Sequence, residues 1–265
     1  VRHEYLEELA DRARRSPSFL NTFLRYHLDV WTQQLERWIT PEAWAQGDVA
    51  IDEGELVGRR CWVGLDLAST SDITAAVLAF PDADGGYDLL ARMWVPRDTV
   101  PDRTRRDRVP YDAWVRDGWL FATPGNVTDY SFIRADLNRL ADRYEVVEVV
   151  LDPWNATHLA QQLADDGFTV VEFRQGYASM SPAAKEFERL VMAGRIRHGG
   201  HPVLRWMANN VAIVQDPAGN IKPDKARSRE KIDGIVAAIM AIGRAMVRGD
   251  DDRSVYEDRG VLVFG

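Results

Sequence analysis

The stretch WVGLDLASTSDIT, residues 62–74, constrains this chain more than any other. It begins as a strand in which Cys61, Val63, Leu65 and Leu67 share one face and Trp62, Gly64, Asp66 and Ala68 the other. Asp66 thus places a carboxylate within an otherwise apolar strand, which is costly in an interior unless the charge is paired. It needs a metal ion, a cationic partner or a place at the mouth of a cleft. A buried arginine, or a cap on the following turn, would satisfy it without any chemistry. The strand alone leaves these alternatives open.

At 265 residues the chain can hold one substantial domain plus an appendage. Its net charge of −8 argues against a protein that coats nucleic acid non-specifically, yet leaves room for an enzyme with local basic patches. One cysteine, Cys61, excludes an intrachain disulfide and a cysteine zinc site, and suits a reducing, cytosolic setting. The longest apolar run, Ile235–Gly243, is too short to span a bilayer and no signal peptide is evident, so no membrane association is expected. The chain opens on Val1 in what reads as the middle of a helix, and is expected to be a piece of a longer protein.

Residues 1–47 read as helical, with a break at Ser16–Pro17, an aromatic-rich segment through Phe19, Phe23, Trp31 and Trp38, and a capped start at Thr40–Pro41–Glu42. Residues 48–59 read as a polar linker. The period then becomes that of strands: Cys61–Ala68, Ile73–Phe80 and Tyr87–Val95, joined closely enough for antiparallel hairpins. Pro96–Tyr130 reads as irregular except for a short helix near Tyr111–Asp117. A helix (Phe132–Tyr144), a buried strand (Glu145–Leu151), a helix (Ala156–Asp165) and a strand (Phe168–Phe173) follow. The handedness of parallel crossovers then favours a mixed five-stranded α/β sheet, three antiparallel strands and two parallel ones, with the fourth strand beside the first. That order makes Asp66 and Asp152 neighbours. A helix (Pro182–Ala193), a short strand (Arg195–His198), a helix (Pro202–Val211) and a small extra hairpin (212–222) lead to a last helix, Ser228–Val247. Its apolar stripe packs on the sheet and carries Asp233 one turn in from the start. Residues 249–265 read as an acidic, unstructured tail.

Three carboxylates, Asp66, Asp152 and Asp233, therefore converge. Oxygen clusters of this kind suit Mg²⁺ or Mn²⁺, and two such ions about 4 Å apart can drive phosphodiester hydrolysis. Three unrelated surface aspartates remain the plain alternative; it accounts tolerably for Asp152 before Pro153 and poorly for Asp66.

The segments VGLDLASTSDITA, VVLDPWNA, MAGRIRHGGHPVLRWMANNV and, above all, DPAGNIKPDKARSREKIDGIVAAIMAIGRA resemble the large terminase subunit of tailed bacteriophages, specifically its RNase H-like C-terminal nuclease domain. The resemblance covers about Arg60 to Arg248. It implies a metal-dependent endonuclease that cuts concatemeric viral DNA during packaging, with two divalent metals on Asp66, Asp152 and Asp233. Asp72 and Asp224 lie in matching segments with supporting roles at most. It also implies a helical linker (1–59) from an ATPase domain, a nuclease domain (60–248) and a tail (249–265). The implied partners are double-stranded DNA, the ATPase domain of the same polypeptide, the small terminase subunit and the capsid portal, in the host cytoplasm. No G-x-x-x-x-G-K-[ST] loop occurs in these residues, so cutting without translocation is expected.

The run Lys222, Lys225, Arg227, Arg229 and Lys231 reads as a phosphate clamp beside the metals, or as a solvated helix start. Arg103, Arg105 and Arg106, with Arg108, form a second candidate DNA contact on a loop. His198 and His201 frame a Gly-Gly turn, a loop role more than a metal role, and Trp154, Tyr177, Met180 and Trp206 read as packing residues. Two other classes compete: an actin-like or sugar-kinase phosphate loop at Asp66–Thr70, and a non-catalytic docking module for the portal.

Overall fold

The computed structural model describes residues 3–15, 37–68, 72–154 and 156–251, with positions 19, 23, 27 and 28. The expected second N-terminal helix and most of the tail fall outside these residues. Helix α1 is His3–Arg15, and α2, Pro41–Ala45, is capped by Thr40, whose hydroxyl accepts from Ala43 N. Trp38 and Trp44 pack against Phe187, so the aromatic residues here are core, as expected. Residues 48–59 are anchored: Asp48 pairs with Arg205 at 2.6 Å and Leu56 is buried.

The central sheet has the order β4-β3-β2-β1-β5-β6, from strands β1 (Arg60–Asp66), β2 (Thr74–Pro81), β3 (Tyr87–Pro96), β4 (Phe121–Thr123), β5 (Glu145–Leu151) and β6 (Val170–Glu172). A further strand, β7 (Ile196–Arg197), pairs with β3. The expected five-strand core is present, with β1–β3 antiparallel and β5 parallel to β1. The sheet has seven strands because β4 and β7 add to β3, and elements of two or three residues show no alternation that a sequence reading could detect.

A register shift between Cys61 and Trp62 sets which residues meet at the carboxyl end of β1 and β5. Arg60 pairs with Glu145 and Cys61 with Val146, but Trp62 pairs with Glu148 and Leu65 with Leu151. Continuing that register by one residue brings Asp66 beside Asp152. Without the extra residue, Asp66 would meet Leu151, because a one-residue slip exchanges the two faces.

One face of the sheet is covered by α5 (Tyr130–Ala141) and α6 (Thr157–Asp165), which pack Ile133, Leu137, Leu140, Leu159 and Leu163 against Cys61, Val63 and Leu65. The other face is covered by α7 (Tyr177–Met192), α8 (Pro202–Asn210) and α9 (Asp233–Asp251). Gly64 is what lets α9 approach: a Cβ there would lie 1.9 Å from Ala237 O. The helix backbone therefore rests directly on β1, and its first residue hangs over the end of that strand.

Three boundaries differ from expectation. Pro96–Tyr130 holds the expected short helix, α4 (Tyr111–Arg116), but also an unexpected 3₁₀ turn at Arg97–Thr99 and helix α3 (Val100–Asp107), with Pro101 tolerated in the first turn. Helix α9 starts at Asp233, not Ser228. Residues 224–228 instead form a turn in which Asp224 Oδ1 accepts from Ala226 N and Ser228 Oγ donates to Asp224 O. Helix α7 starts at Tyr177, with Pro182 inside it. The small hairpin pairs β8 (Ile213–Gln215) with β9 (Ile221–Pro223) as expected. No helix among the described residues is long and apolar enough to cross a membrane.

Candidate metal centre

Asp66 ends β1, Asp152 follows β5 directly, and Asp233 opens α9. Asp66 is 5 % exposed and Asp233 1 % exposed. With Asp72, Trp154, Gln175 and Lys225, Asp66 and Asp152 line a cleft of about 270 Å³. The position follows the rule for open α/β sheets, in which ligands sit beyond the carboxyl ends of parallel strands.

Gln175 organises the two strand-end carboxylates. Its Nε2 donates to Asp66 Oδ1 at 3.1 Å, and its backbone N–H donates to Asp152 Oδ2, also at 3.1 Å. Asp152 Oδ1 accepts from Trp154 N at 2.9 Å. Lys222 on β9 donates to Gln175 O at 3.3 Å and lies over the Tyr177 ring, which ties the hairpin to the same residue.

The Lys225 ammonium stands among the acidic groups, 2.5 Å from Asp233 Oδ1, 3.1 Å from Asp66 Oδ2 and 3.7 Å from Asp72 Oδ2. Lys231 pairs with the other Asp72 oxygen at 3.3 Å. Burial pushes both buried carboxyls above the ordinary aspartate range. For Asp233 the neighbouring Asp66 charge adds to burial, and the group rises to about 7; for Asp66, Lys225 and Gln175 offset part of the burial effect. Burial opposes the charge on Lys225, but Asp66 and Asp233 outweigh it and hold the ammonium above its usual range.

The cluster is nevertheless incompletely satisfied. Asp233 Oδ2 is buried without a hydrogen bond among the described residues, and Asp66 Oδ2 lacks one apart from its ion pair with Lys225. Native structures leave few such atoms. Oxygen donors of this type, anionic and poorly satisfied beside an open cleft, fit a hard divalent cation. Among the described residues no three carboxylate or imidazole groups converge into a ready ligand set, with Lys225 standing between Asp66 and Asp233.

The other expected site residues divide clearly. Asp72 joins the cluster through Lys225 and Lys231. Asp224 does not: its carboxylate caps the 224–228 turn and lies 3.8 Å from Arg227, which removes it from the proposed ligands. Arg227 and Arg229 are exposed, as a phosphate contact requires, whereas Lys222, Lys225 and Lys231 are engaged with Gln175 or the carboxylates.

The second basic group also needs correction. Arg103 is 3 % exposed and donates to Thr99 Oγ1 at 2.9 Å and Asp72 O at 3.2 Å, so it braces the Asp72 loop and cannot meet DNA. Arg105 pairs with Asp102 and Arg106 with Asp107, which leaves little free positive charge on α3. His198 is buried, stacks on Trp44 and bonds Trp44 O at 2.9 Å. His201 caps α8 by accepting from Leu204 N, and burial lowers it to about 4. Both histidines serve loop structure. Trp154 departs from its expected packing role: it is 81 % exposed at the rim of the cleft.

Sequence reasoning missed Gln175. Glutamine carries no titratable signature, although its place just beyond the carboxyl end of β6 is where such a residue is needed.

Comparison with known proteins now gives this geometry a family. The family described as "Terminase large subunit, endonuclease domain" matches residues 3–248. The terminase large subunit of Enterobacteria phage HK97 is 38 % identical over 239 residues, 89 % of this chain and 47 % of that protein. Protein YmfN of Escherichia coli (strain K12) is 32 % identical over 263 residues, 95 % of this chain and 58 % of that protein. The crystal structure of the HK97 large terminase superposes with a TM-score of 0.74 at 36 % identity, over 92 % of this chain and 51 % of that one. This chain spans about half the length of these HK97 relatives. It belongs to the terminase large-subunit endonuclease-domain family and is a nuclease domain with the expected RNase H-like mixed sheet. The phosphate-loop reading of Asp66–Thr70 gains no support.

Proposed function

We propose that this domain is a metal-dependent endodeoxyribonuclease that cuts concatemeric viral DNA during genome packaging, with two Mg²⁺ or Mn²⁺ ions held by Asp66, Asp152 and Asp233. The observation that carries the proposal is the pair of buried, under-satisfied carboxylates, Asp66 and Asp233, which share Lys225, with Asp66 lining the same cleft as Asp152 at the open end of a parallel strand pair. When bound, such ions activate a water and stabilise the leaving oxygen of a phosphodiester.

The chain's own residues prepare that reaction. Gln175 fixes the Asp66 carboxylate and, through its backbone, Asp152, so the two strand-end ligands are oriented by one residue. Arg103 holds the Asp72 loop by its carbonyl, which keeps Asp72 at the cluster's edge. Arg227 and Arg229 are exposed on the segment leading into α9 and are placed to draw the DNA backbone toward the cleft. Trp154 offers an exposed aromatic face at the rim, suited to a base or sugar of the bound strand.

By family, the substrate is double-stranded DNA, and the working partners are the ATPase domain of the same polypeptide, the small terminase subunit and the capsid portal, in the host cytoplasm. The decisive experiment is plasmid cleavage in Mn²⁺ or Mg²⁺. Wild-type protein should nick or linearise the plasmid, and Asp66→Asn and Asp233→Asn should each abolish this. Cleavage that survives both substitutions would sink the proposed centre. DNA binding should weaken steeply with added salt, and a flat response would remove Arg227 and Arg229 as phosphate contacts.

A further inference from the structure

We propose that Lys225 is a resident counter-ion of the carboxylate cluster, which a divalent cation must displace, so that the turn following the β8–β9 hairpin controls metal entry. The inference rests on the nuclease reading above and deepens it.

Three acidic groups from separate parts of the fold meet one ammonium: Asp66 from the end of β1, Asp72 from the loop before β2, and Asp233 from the start of α9. The contacts to Asp66 and Asp233, at 3.1 and 2.5 Å, engage the very carboxylates assigned to the metals. An ammonium and a hard cation compete for the same anionic oxygens. Mg²⁺ requires them at about 2.0–2.1 Å in near-octahedral geometry. The seated ammonium takes up the space and the negative charge beside Asp66 Oδ2 and Asp233 Oδ1 that a metal ion would need.

The surroundings suit a displaceable group better than a fixed one. The Lys225 side chain is 42 % exposed, so its path into solvent is open, while its partners Asp66 and Asp233 are 7 % and 1 % exposed as side chains. Lys225 lies two residues beyond β9, on the turn capped by Asp224. The same hairpin reaches the cluster a second time, through Lys222 to Gln175 and from Gln175 to Asp66. Movement of the hairpin would therefore withdraw the counter-ion and loosen the Asp66 support together. Lys231, 19 % exposed and bound to the other oxygen of Asp72, can hold Asp72 when Lys225 leaves.

The test is calorimetric titration of Mn²⁺ alone into the 265-residue protein, wild type and Lys225→Met, without DNA. Met keeps most of the side-chain bulk and removes the charge. Loss of a competing cation should tighten Mn²⁺ binding about tenfold, within the usual range of coupling between two ligands. Equal or weaker binding by a folded variant overturns the proposal while leaving the metal centre standing. Absence of Mn²⁺ binding by both proteins overturns the metal centre and the proposal with it. Amine acetylation of wild-type protein, read by mass spectrometry, gives a measurement independent of the variant. Mn²⁺ should accelerate labelling of Lys225 relative to exposed Lys185, and an unchanged ratio at saturating Mn²⁺ counts against displacement.

Discussion

Helix α9 brings two charged groups, Asp233 and the half-buried Arg244, against buried carboxylates of the same sheet, and the two contacts are built on opposite principles. Toward its end, Arg244 meets Glu148 of β5 in a two-pronged pair, with nitrogen–oxygen distances of 2.8 and 3.0 Å. Both carboxylate oxygens are bonded. At its start, Asp233 faces Asp66 across a single lysine, and an oxygen of Asp233 is left without a hydrogen bond among the described residues. The first pair is closed, which is how a structural ion pair survives burial. The second has more negative charge than the lysine can neutralise, and the excess is stored where a cation can use it. The contrast separates a buried charge that serves the fold from one that serves chemistry.

The sharpest way to break this contrast is to neutralise each end of the helix in turn. Asp66→Asn and Asp233→Asn should reduce plasmid cleavage to background, yet in chelator at pH 8 both proteins should melt no lower than wild type, because each substitution relieves charge repulsion. A large loss of melting temperature in chelator would mean that the carboxylates are structural after all. Arg244→Met should do the reverse. It removes the two-pronged partner of Glu148, whose side chain is 2 % exposed, and should cost up to roughly 3 kcal/mol in urea unfolding. Adding Glu148→Leu should recover most of that loss, because an apolar pair of similar volume often replaces a buried ion pair without penalty. Failure of the double variant to recover would show that the pair does more than neutralise itself.

Much of this site was legible in the sequence, for identifiable reasons. Asp66 stood out because a carboxylate in an apolar strand has few physical explanations, and crossover geometry supplied Asp152 as its neighbour. The register shift that aligns the two was hidden, since EVVEVVL reads the same with or without it. Asp233 was found as part of an amphipathic pattern but placed a turn too deep, because the capped turn at 224–228 resembles a helix start in composition. Basic residues misled most. Lys225 and Arg103 looked like DNA contacts because charge in a sequence suggests solvent. One instead lies among the carboxylates and the other braces the Asp72 loop from within. Trp154 misled in the other direction, since an aromatic residue suggests the core.

The support given by Gln175 offers a smaller test. Gln175→Leu removes the donor to Asp66 Oδ1 while leaving the backbone bond to Asp152 in place. Residues that orient metal ligands commonly contribute about 10–100-fold to metal affinity, and Mn²⁺ binding should weaken by an amount in that range. An unchanged affinity would assign Gln175 to loop structure alone.

The test that most directly distinguishes the two ends of α9 is pH dependence. Asp233 titrates near 7 in the folded chain, raised by burial and then by Asp66, whereas an unfolded aspartate titrates near 3.8. Between those values the folded state binds the extra proton, so the stability of the metal-free protein should fall as pH rises from about 4 through 7. This is opposite in sign to an ordinary salt-bridged aspartate, whose folded value is depressed and which stabilises as pH rises. Chemical denaturation in chelator at several pH values reads the slope, and Asp233→Asn should reduce it, leaving the part that the raised Asp66 contributes. Saturating Mn²⁺ should reverse it, because a ligand that requires the carboxylate form favours the deprotonated folded state. A metal-free slope unaffected by Asp233→Asn would place the titrating group elsewhere and return Asp233 to the same class as Glu148.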